Sequence, residues 1–307
     1  MGQQEHLRRF FMKRLLLIAV LGVMAALLAG SCSQRTFSFV QMTDPQIGFR
    51  DKSPGFVYTD SLFAEAVRKV NSSEYHGYKS KNCAPSADFV IITGDLVNDQ
   101  RDALQDSIYR ANRAKIDVPV YEIPGNHDIR PWTPDNHSNY LALRGYDRFS
   151  FKHKGCAFIG IDSNCIVDSS DEDRGGDVKI SPSDKAAAAQ AEAEQLEWLK
   201  EELRKAQRCR YTFVFTHCPV ILKDIDEENN YFNFPKKKRA EYIALFKKYE
   251  VDVVFAGHTH MDYDTTAEGI RFVTAGPVGS PLGRGYSGYE LVTVSKDSVR
   301  CTFLSTH

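Results

Sequence analysis

Four histidines, two aspartates and an asparagine fall at one recurring kind of place in this sequence, the last residues of an apolar run or the turn just after it. Asp44 closes "TFSFVQMTD", Asp95 closes "ADFVIITGD", Asn126 and His127 follow "VPVYEIPG", His217 ends "YTFVFTH", and His258 and His260 end "VDVVFAGHTH". Imidazole, carboxylate and amide oxygen together suit Mn, Fe or Zn better than a thiolate-rich structural zinc set would. Glycines in "TGD", "PGNHD" and "AGHTH" let the backbone turn sharply beside such groups. The first of these stretches continues "DPQIGF", so Gln46 stands two residues after Asp44 and offers a carbonyl oxygen, able to bind a hard cation.

The elements that hold these residues are alternating strands and helices. Besides the five runs above, "CAFIGIDSN" and "IRFVTAGP" read as apolar, β-branched strands. Between the strands lie helical stripes: Leu62, Phe63, Ala66, Val67 and Val70; then Leu104, Ile108 and Ala111; then Leu196, Leu199 and Leu203; and last Leu245, Phe246 and Tyr249. Strands apolar on both faces and separated by amphipathic helices predict an α/β domain of sheets covered by helices. In open α/β sheets ligands bind at the carboxyl ends of the strands, which is where the histidines and aspartates collect. The C-terminal "SGYELVTVSKDSVRCTFLST" predicts a hairpin turning near Lys296 and Asp297, and residues 165–185 predict a long surface loop.

The 307 residues, 42% of them hydrophobic, describe a folded globular chain. Its N-terminus differs: "RRFFMKR" precedes "LLLIAVLGVMAALLAG", a basic segment followed by an apolar stretch too short for a comfortable span, which predicts an export signal over residues 1–31. Those residues carry a net +3, so their removal takes the formal net charge from −1 to −4. A mildly acidic remainder argues against a nucleic-acid partner, and the acidic "DIDEEN" after His217 argues against a long polyanionic substrate. "KKKR" at 236–239 reads as a solvated helix face. Seven cysteines become six if Cys32 is modified, an even number that permits disulfides without requiring them.

"LAGSC" resembles the lipobox of bacterial lipoproteins, which implies lipidation of Cys32, a tether over residues 32–36, a membrane anchor, and residence in the periplasm or outer membrane. The tether is so short that the site at the far end of the first strand is expected to open away from the anchoring bilayer. "GDLVND", "GNHD", "THCP" and "GHTH", in that order after a first strand ending in Asp, resemble the calcineurin-like metallophosphoesterases. The resemblance spans the domain assigned here to residues 37–307 and implies a four-layer αββα sandwich of two mixed sheets flanked by helices. It also implies two divalent cations, Mn, Fe or Zn, in a binuclear centre. Carried over by motif, Asp44, Gln46 and His260 would hold one, Asn126, His217 and His258 the other, with Asp95 bridging them.

The same resemblance gives His127 a catalytic role as proton donor or phosphate contact, oriented by a carboxylate for which Asp128 is the first choice and Asp99 the second. Asn126, His127 and Arg284 would contact the substrate phosphate. Most members carry His where this chain has Gln46, but the calcineurin-like phosphoesterase domain-containing branch carries the same "DPQ". The sequence also resembles that branch in "QMTDPQIGF" and "GSPLGRGYSGY", so Gln46 is expected to be a working ligand. The GDxxDRG motif of eukaryotic protein Ser/Thr phosphatases is absent, and Asn98 stands where purple acid phosphatases place their chromophoric Tyr. The resemblance therefore implies a phosphomonoesterase acting on a phosphoprotein or a small molecule, with the chain expected to be monomeric. A phosphodiester or nucleotide-sugar diphosphate is the alternative on the same site. A non-catalytic metal-binding scaffold is the alternative of another class, supported by Gln46 alone. Tyr231, Phe232 and Phe234 are candidates for one pocket wall.

Overall fold

The computed structural model describes residues 36–72, 86–170, 172, 179–283 and 285–306. The expected export signal, Cys32 and Arg284 lie outside the described residues. Within them, no helix is long and apolar enough to cross a membrane. Five cysteines, Cys156, Cys165, Cys209, Cys218 and Cys301, are free thiols.

Two mixed sheets stack face to face. The first contains β1 (Phe37–Met42), β2 (Ala87–Thr93), β3 (Val120–Ile123), β10 (Gly288–Val294) and β11 (Val299–Ser305), in the order β11-β10-β1-β2-β3. The second contains β4 (Phe149–His153), β5 (Cys156–Gly160), β6 (Thr212–Phe215), β7 (Val253–Ala256), β8 (Tyr263–Ala267) and β9 (Ile270–Thr274), in the order β4-β5-β6-β7-β9-β8. β1, β2 and β3 run parallel, as do β5, β6, β7 and β9, so the carboxyl ends of seven strands point one way within their sheets. Antiparallel β11, β4 and β8 form three of the four edges and parallel β3 the fourth, and the predicted hairpin is β10–β11, turning over 295–298 through the Ser295 N–H to Ser298 O bond.

Between the sheets lies a layer of phenylalanines. Phe39 stacks on Phe89 at 5.3 Å and meets Phe158, Phe213 and Phe255 edge-on or tilted within 6 Å. Each such ring is fully or almost fully buried, worth roughly 1.5–3 kcal/mol of transfer free energy. This apolar seam fixes how the two sheets register, and with them the loops at their ends. Helices α1 (Val57–Ser72), α2 (Ala103–Arg113), α3 (Pro134–Arg144), α4 (Ser163–Asp168), α5 (Pro182–Ala206) and α6 (Lys236–Lys248) flank the sheets.

Several expectations are corrected. The loop predicted over 165–185 is shortened by helix at both ends: α4 runs to Asp168, capped by the Asp162 carboxylate, and α5 starts at Pro182 behind the Ser181 cap. Of the stripe expected on α2 only Ile108 packs against the core; Leu104 and Ala111 are exposed, while Gln105, Asp106, Tyr109 and Asn112 are buried. That face is chosen by polar partners: Tyr109 donates to Glu122 at 2.7 Å, and Asp106 takes Arg144 at 2.6 Å. Helix α3 buries only Tyr140 and so shows no periodic stripe, and edge strands β4 and β8 alternate with exposed polar residues.

One carboxylate is buried on the inter-sheet face. Glu290 sits opposite Gln41 and shares its strand face with Val292 and Val294 of the phenylalanine cluster. Its Oε2 has no hydrogen-bond partner. Burial first, then Asp262 and Asp264, push its pKa up to about 8 from an ordinary 4.5. A raised acid pKa means the folded state holds the proton more tightly. The stability this confers is complete below pH 4.5 and is lost as pH rises through about 8. Glu290→Gln cannot ionise, so it is expected to match the parent near pH 4.5 and to exceed it by roughly 2–4 kcal/mol at pH 9. Urea unfolding across that range checks this; a gap that stays constant with pH would mean Glu290 titrates normally.

Candidate metal centre

The loops following β1, β2, β3, β6 and β7 converge. Asp44 N–H donates to Gly94 O at 3.1 Å, Gln46 N–H to Asp95 O at 2.8 Å, and Gly257 N–H to His217 O at 3.0 Å, so the ligand-bearing turns are stitched to one another through their backbones. Five of the seven residues expected as ligands have positive φ: Asp44 at 50°, Gln46 at 34°, Asp95 at 48°, His258 at 71° and His260 at 54°. In non-glycine residues that conformation costs of order 1–3 kcal/mol each, and it persists where the surroundings over-determine it. Glycine is required where the turns touch. A methyl group at Gly125 would collide with the Asp95 amide nitrogen and carboxylate, and one at Gly257 with the Thr43 hydroxyl.

The side chains form two adjoining groupings. In one, His260 Nε2 lies 3.5 Å from Asp44 Oδ1. In the other, His217 Nε2 lies 3.3 Å from Asp95 Oδ1 and 3.1 Å from Asn126 Oδ1, and the ligand atoms of Asp95, His217 and His258 all fall within 4.8 Å of one another. Backbone carbonyls set each ring. His217 Nδ1 meets Thr93 O at 2.8 Å, His260 Nδ1 meets Ser280 O at 2.7 Å, and His258 Nε2 meets Tyr231 O at 3.0 Å. A carbonyl can only accept, so those nitrogens carry the proton; a cation would take Nε2 of His217 and His260 and Nδ1 of His258.

Two buried oxygens, Asp44 Oδ1 and Gln46 Oε1, accept no hydrogen bond. Leaving such a group unsatisfied costs about 1–3 kcal/mol, which a cation bound there would offset. The donor set thus fits divalent cations, and Gln46 stands among its unsatisfied oxygens. Charges are arranged accordingly. Burial opposes ionisation of Asp44, but the His260 imidazole outweighs it and holds the carboxyl below its usual range. Burial likewise opposes ionisation of Asp95, which His217, then His127 and His258, hold far lower. His217 is penalised by burial yet pushed up to about 9 by the Asp95 carboxylate. Cation binding would have to displace these imidazole protons, coupling metal uptake to proton release.

Around this centre the structure sorts the remaining candidates. His127 donates its backbone N–H to Asp95 Oδ1 at 2.8 Å, and its ring Nδ1 meets Asn98 O at 2.8 Å. The orienting partner of His127 is therefore a backbone carbonyl. Asp128, expected in that role, is buried and accepts instead from the amides of Gly125, Leu96 and Val97 at 2.8 to 3.3 Å. Burial, then Asp95, push its pKa up to about 7. Asp128 ties the "GD" turn to the "GNHD" turn, and Asp99 is paired with Arg101. Asn126 donates through Nδ2 to Tyr231 Oη at 2.9 Å, which aims its Oδ1 at His217. Tyr231 and Phe232 stand 4.8 and 5.6 Å from the His258 ring and so form a wall, whereas Phe234 is buried in the core against Tyr242. Phe49, unremarkable in the sequence, stands 5.0 Å from His260 and 6.4 Å from His127.

Comparison with known proteins gives the family and the fold. The family described as calcineurin-like phosphoesterase matches residues 37–262. Serine/threonine-protein phosphatase CPPED1 of Rattus norvegicus is 28% identical over 276 residues, which cover 86% of this chain and 82% of that protein. The protein of the same name from Homo sapiens is also 28% identical over 276 residues, with the same coverage. Among solved structures, a dimetal phosphatase from Danio rerio superposes with a TM-score of 0.60 at 14% identity, covering 88% of this chain and 96% of that one. Purple acid phosphatase PPD1 from yellow lupin (Lupinus luteus) seeds gives 0.61 at 15% identity, over 88% of this chain and 52% of that one. At such identities the structures share the fold.

Proposed function

The chain belongs to the calcineurin-like phosphoesterase family and is a metal-dependent phosphoester hydrolase, and we propose that it hydrolyses phosphomonoesters at a binuclear centre held by Asp44, Gln46, Asp95, Asn126, His217, His258 and His260. The observation that carries the reading is the pairing of carboxylate with imidazole twice over, at Asp44–His260 and at Asp95–His217, on turns bonded to each other. The preference for a monoester is supported by the phosphatase name shared by the CPPED1 relatives.

When bound, two divalent cations supply a water of lowered pKa and neutralise charge on the phosphoryl oxygens. The chain's own residues do the rest. Asp95 is the anionic group common to both halves. Tyr231 fixes Asn126 through its hydroxyl and His258 through its carbonyl. Asn98 O holds the His127 ring by Nδ1, so Nε2 is the atom from which a proton passes to the leaving oxygen.

The test is reconstitution of metal-stripped protein with Mn, Fe or Zn, followed by metal counting and rates on para-nitrophenyl phosphate and bis(para-nitrophenyl) phosphate. Two metals per chain and a monoester preference of at least about tenfold, or about 1.4 kcal/mol, are expected. One metal at full activity would remove the binuclear reading, and faster diester cleavage would replace the substrate class.

A further inference from the structure

We propose that the cavity beside His127 is a subsite for a second anionic group, read by Arg130, so that the preferred substrate is a small phosphomonoester whose leaving group carries a carboxylate or another phosphate. The inference rests on the phosphomonoesterase reading and extends it to the leaving group. The cavity has a volume of about 430 Å³ and runs between the loop Asn98–Arg101, after β2, and the turn from His127 to Pro131, after β3. That is the size of a small-molecule site. His127 lines it, so whatever departs with the leaving oxygen enters this space.

The charge of the walls selects the occupant. Arg101 is engaged by Asp99 through two parallel bonds, Nε to Oδ1 at 2.9 Å and Nη2 to Oδ2 at 3.0 Å, which makes that pair neutral. Arg130 has no side-chain hydrogen bond or ion pair among the described residues, and its guanidinium is close enough to Tyr231, the partner of Asn126, to act on that hydroxyl electrostatically. One guanidinium without an ion pair among the described residues therefore lines the cavity within electrostatic reach of Tyr231, which holds Asn126. Guanidinium recognises carboxylate and phosphate by paired charge-assisted bonds.

The backbone beneath Arg130 is also fixed in advance. Asn136 Nδ2 donates to Arg130 O at 3.2 Å and to Pro131 O at 2.9 Å, and Trp132 is pinned by its amide to Asp168 at 2.8 Å and by its indole to Asp162 at 3.2 Å. An arginine on a rigid turn loses less freedom on binding than one on a mobile loop.

The test compares phenyl phosphate with 4-carboxyphenyl phosphate, whose leaving groups differ mainly by one distant carboxylate. Metal-loaded wild type is expected to favour the carboxylated ester in kcat/KM by about tenfold, the value of one partly exposed charge-assisted contact. In Arg130→Ala the ratio falls to near one, chiefly through KM on the carboxylated ester, and Arg130→Lys restores part of it. Equal losses on both esters, or no preference in wild type, would overturn the subsite. Calorimetric titration with 4-carboxyphenylphosphonate and phenylphosphonate separates this inference from its foundation. Arg130-dependent tightening of the first ligand without turnover of either ester would leave the subsite standing and remove the esterase reading. Turnover of both esters with no Arg130-dependent difference would do the reverse. A peptide with an acidic residue beside phosphoserine, if it surpassed 4-carboxyphenyl phosphate in an Arg130-dependent way, would replace the small molecule as the occupant.

Discussion

Asp95→Asn is expected to lower kcat/KM on a phosphomonoester by at least about a thousandfold, some 4 kcal/mol of transition-state stabilisation, in a chain that still folds. Asp95 is the residue on which both halves of the centre lean: its Oδ1 lies 3.3 Å from His217, within ligand range of His258, and accepts the His127 amide. Asparagine keeps the shape and an oxygen able to accept that amide, so the "GD" turn and its left-handed backbone survive. It removes the negative charge that holds two cations near each other and that draws His217 toward its charged form. Metal analysis should find at most one cation per chain, while circular dichroism and urea unfolding remain close to the parent's. Two retained metals with undiminished turnover would show that Asp95 is not the shared ligand, and a chain that unfolds would show that its role is structural.

The strands that carry the expected ligands could be read from the sequence because parallel strands buried on both faces are apolar for their whole length, so a polar residue at their end stands out. Asp44, Asp95, His217 and His258 are of that kind. What holds those residues was not legible. Thr93 O, Asn98 O, Ser280 O and Tyr231 O orient four imidazoles, and a backbone carbonyl is the same group in every residue type. Asp128 shows the opposite failure. It follows His127 directly, yet its side chain turns inward to three amides, which sequence adjacency cannot reveal. The stripe on α2 was partly misplaced because the buried face of Gln105, Asp106, Tyr109 and Asn112 is mainly polar and is held by groups outside the helix, Asn98, Arg144, Glu122 and Asp60. Gln46 is an intermediate case. Its type hinted at a changed ligand, and the absence of any hydrogen bond to its buried Oε1 gives that hint a physical basis. Arg130, immediately after "GNHDI", carried no signal of its own; the pairing of Arg101 with Asp99 leaves it as the cavity's charge without an ion pair among the described residues.

His127→Ala is expected to slow hydrolysis of phenyl phosphate by about a hundredfold to a thousandfold while slowing para-nitrophenyl phosphate less than tenfold, because a proton donor matters least when the leaving oxygen is already stable as an anion. The substitution removes only the ring. The backbone N–H that donates to Asp95 remains, so the shared carboxylate keeps its position and both cations should be retained. The ring itself has one nitrogen committed to Asn98 O, and the other is the only atom of the side chain able to serve the leaving group. Rates on a series of aryl phosphates of graded leaving-group pKa give the decisive measurement. A steeper dependence on leaving-group pKa in the variant, with metal content unchanged, assigns the proton to His127. Parallel lines for variant and parent would make His127 a binding or orienting residue, and loss of a metal would place its effect on Asp95 instead.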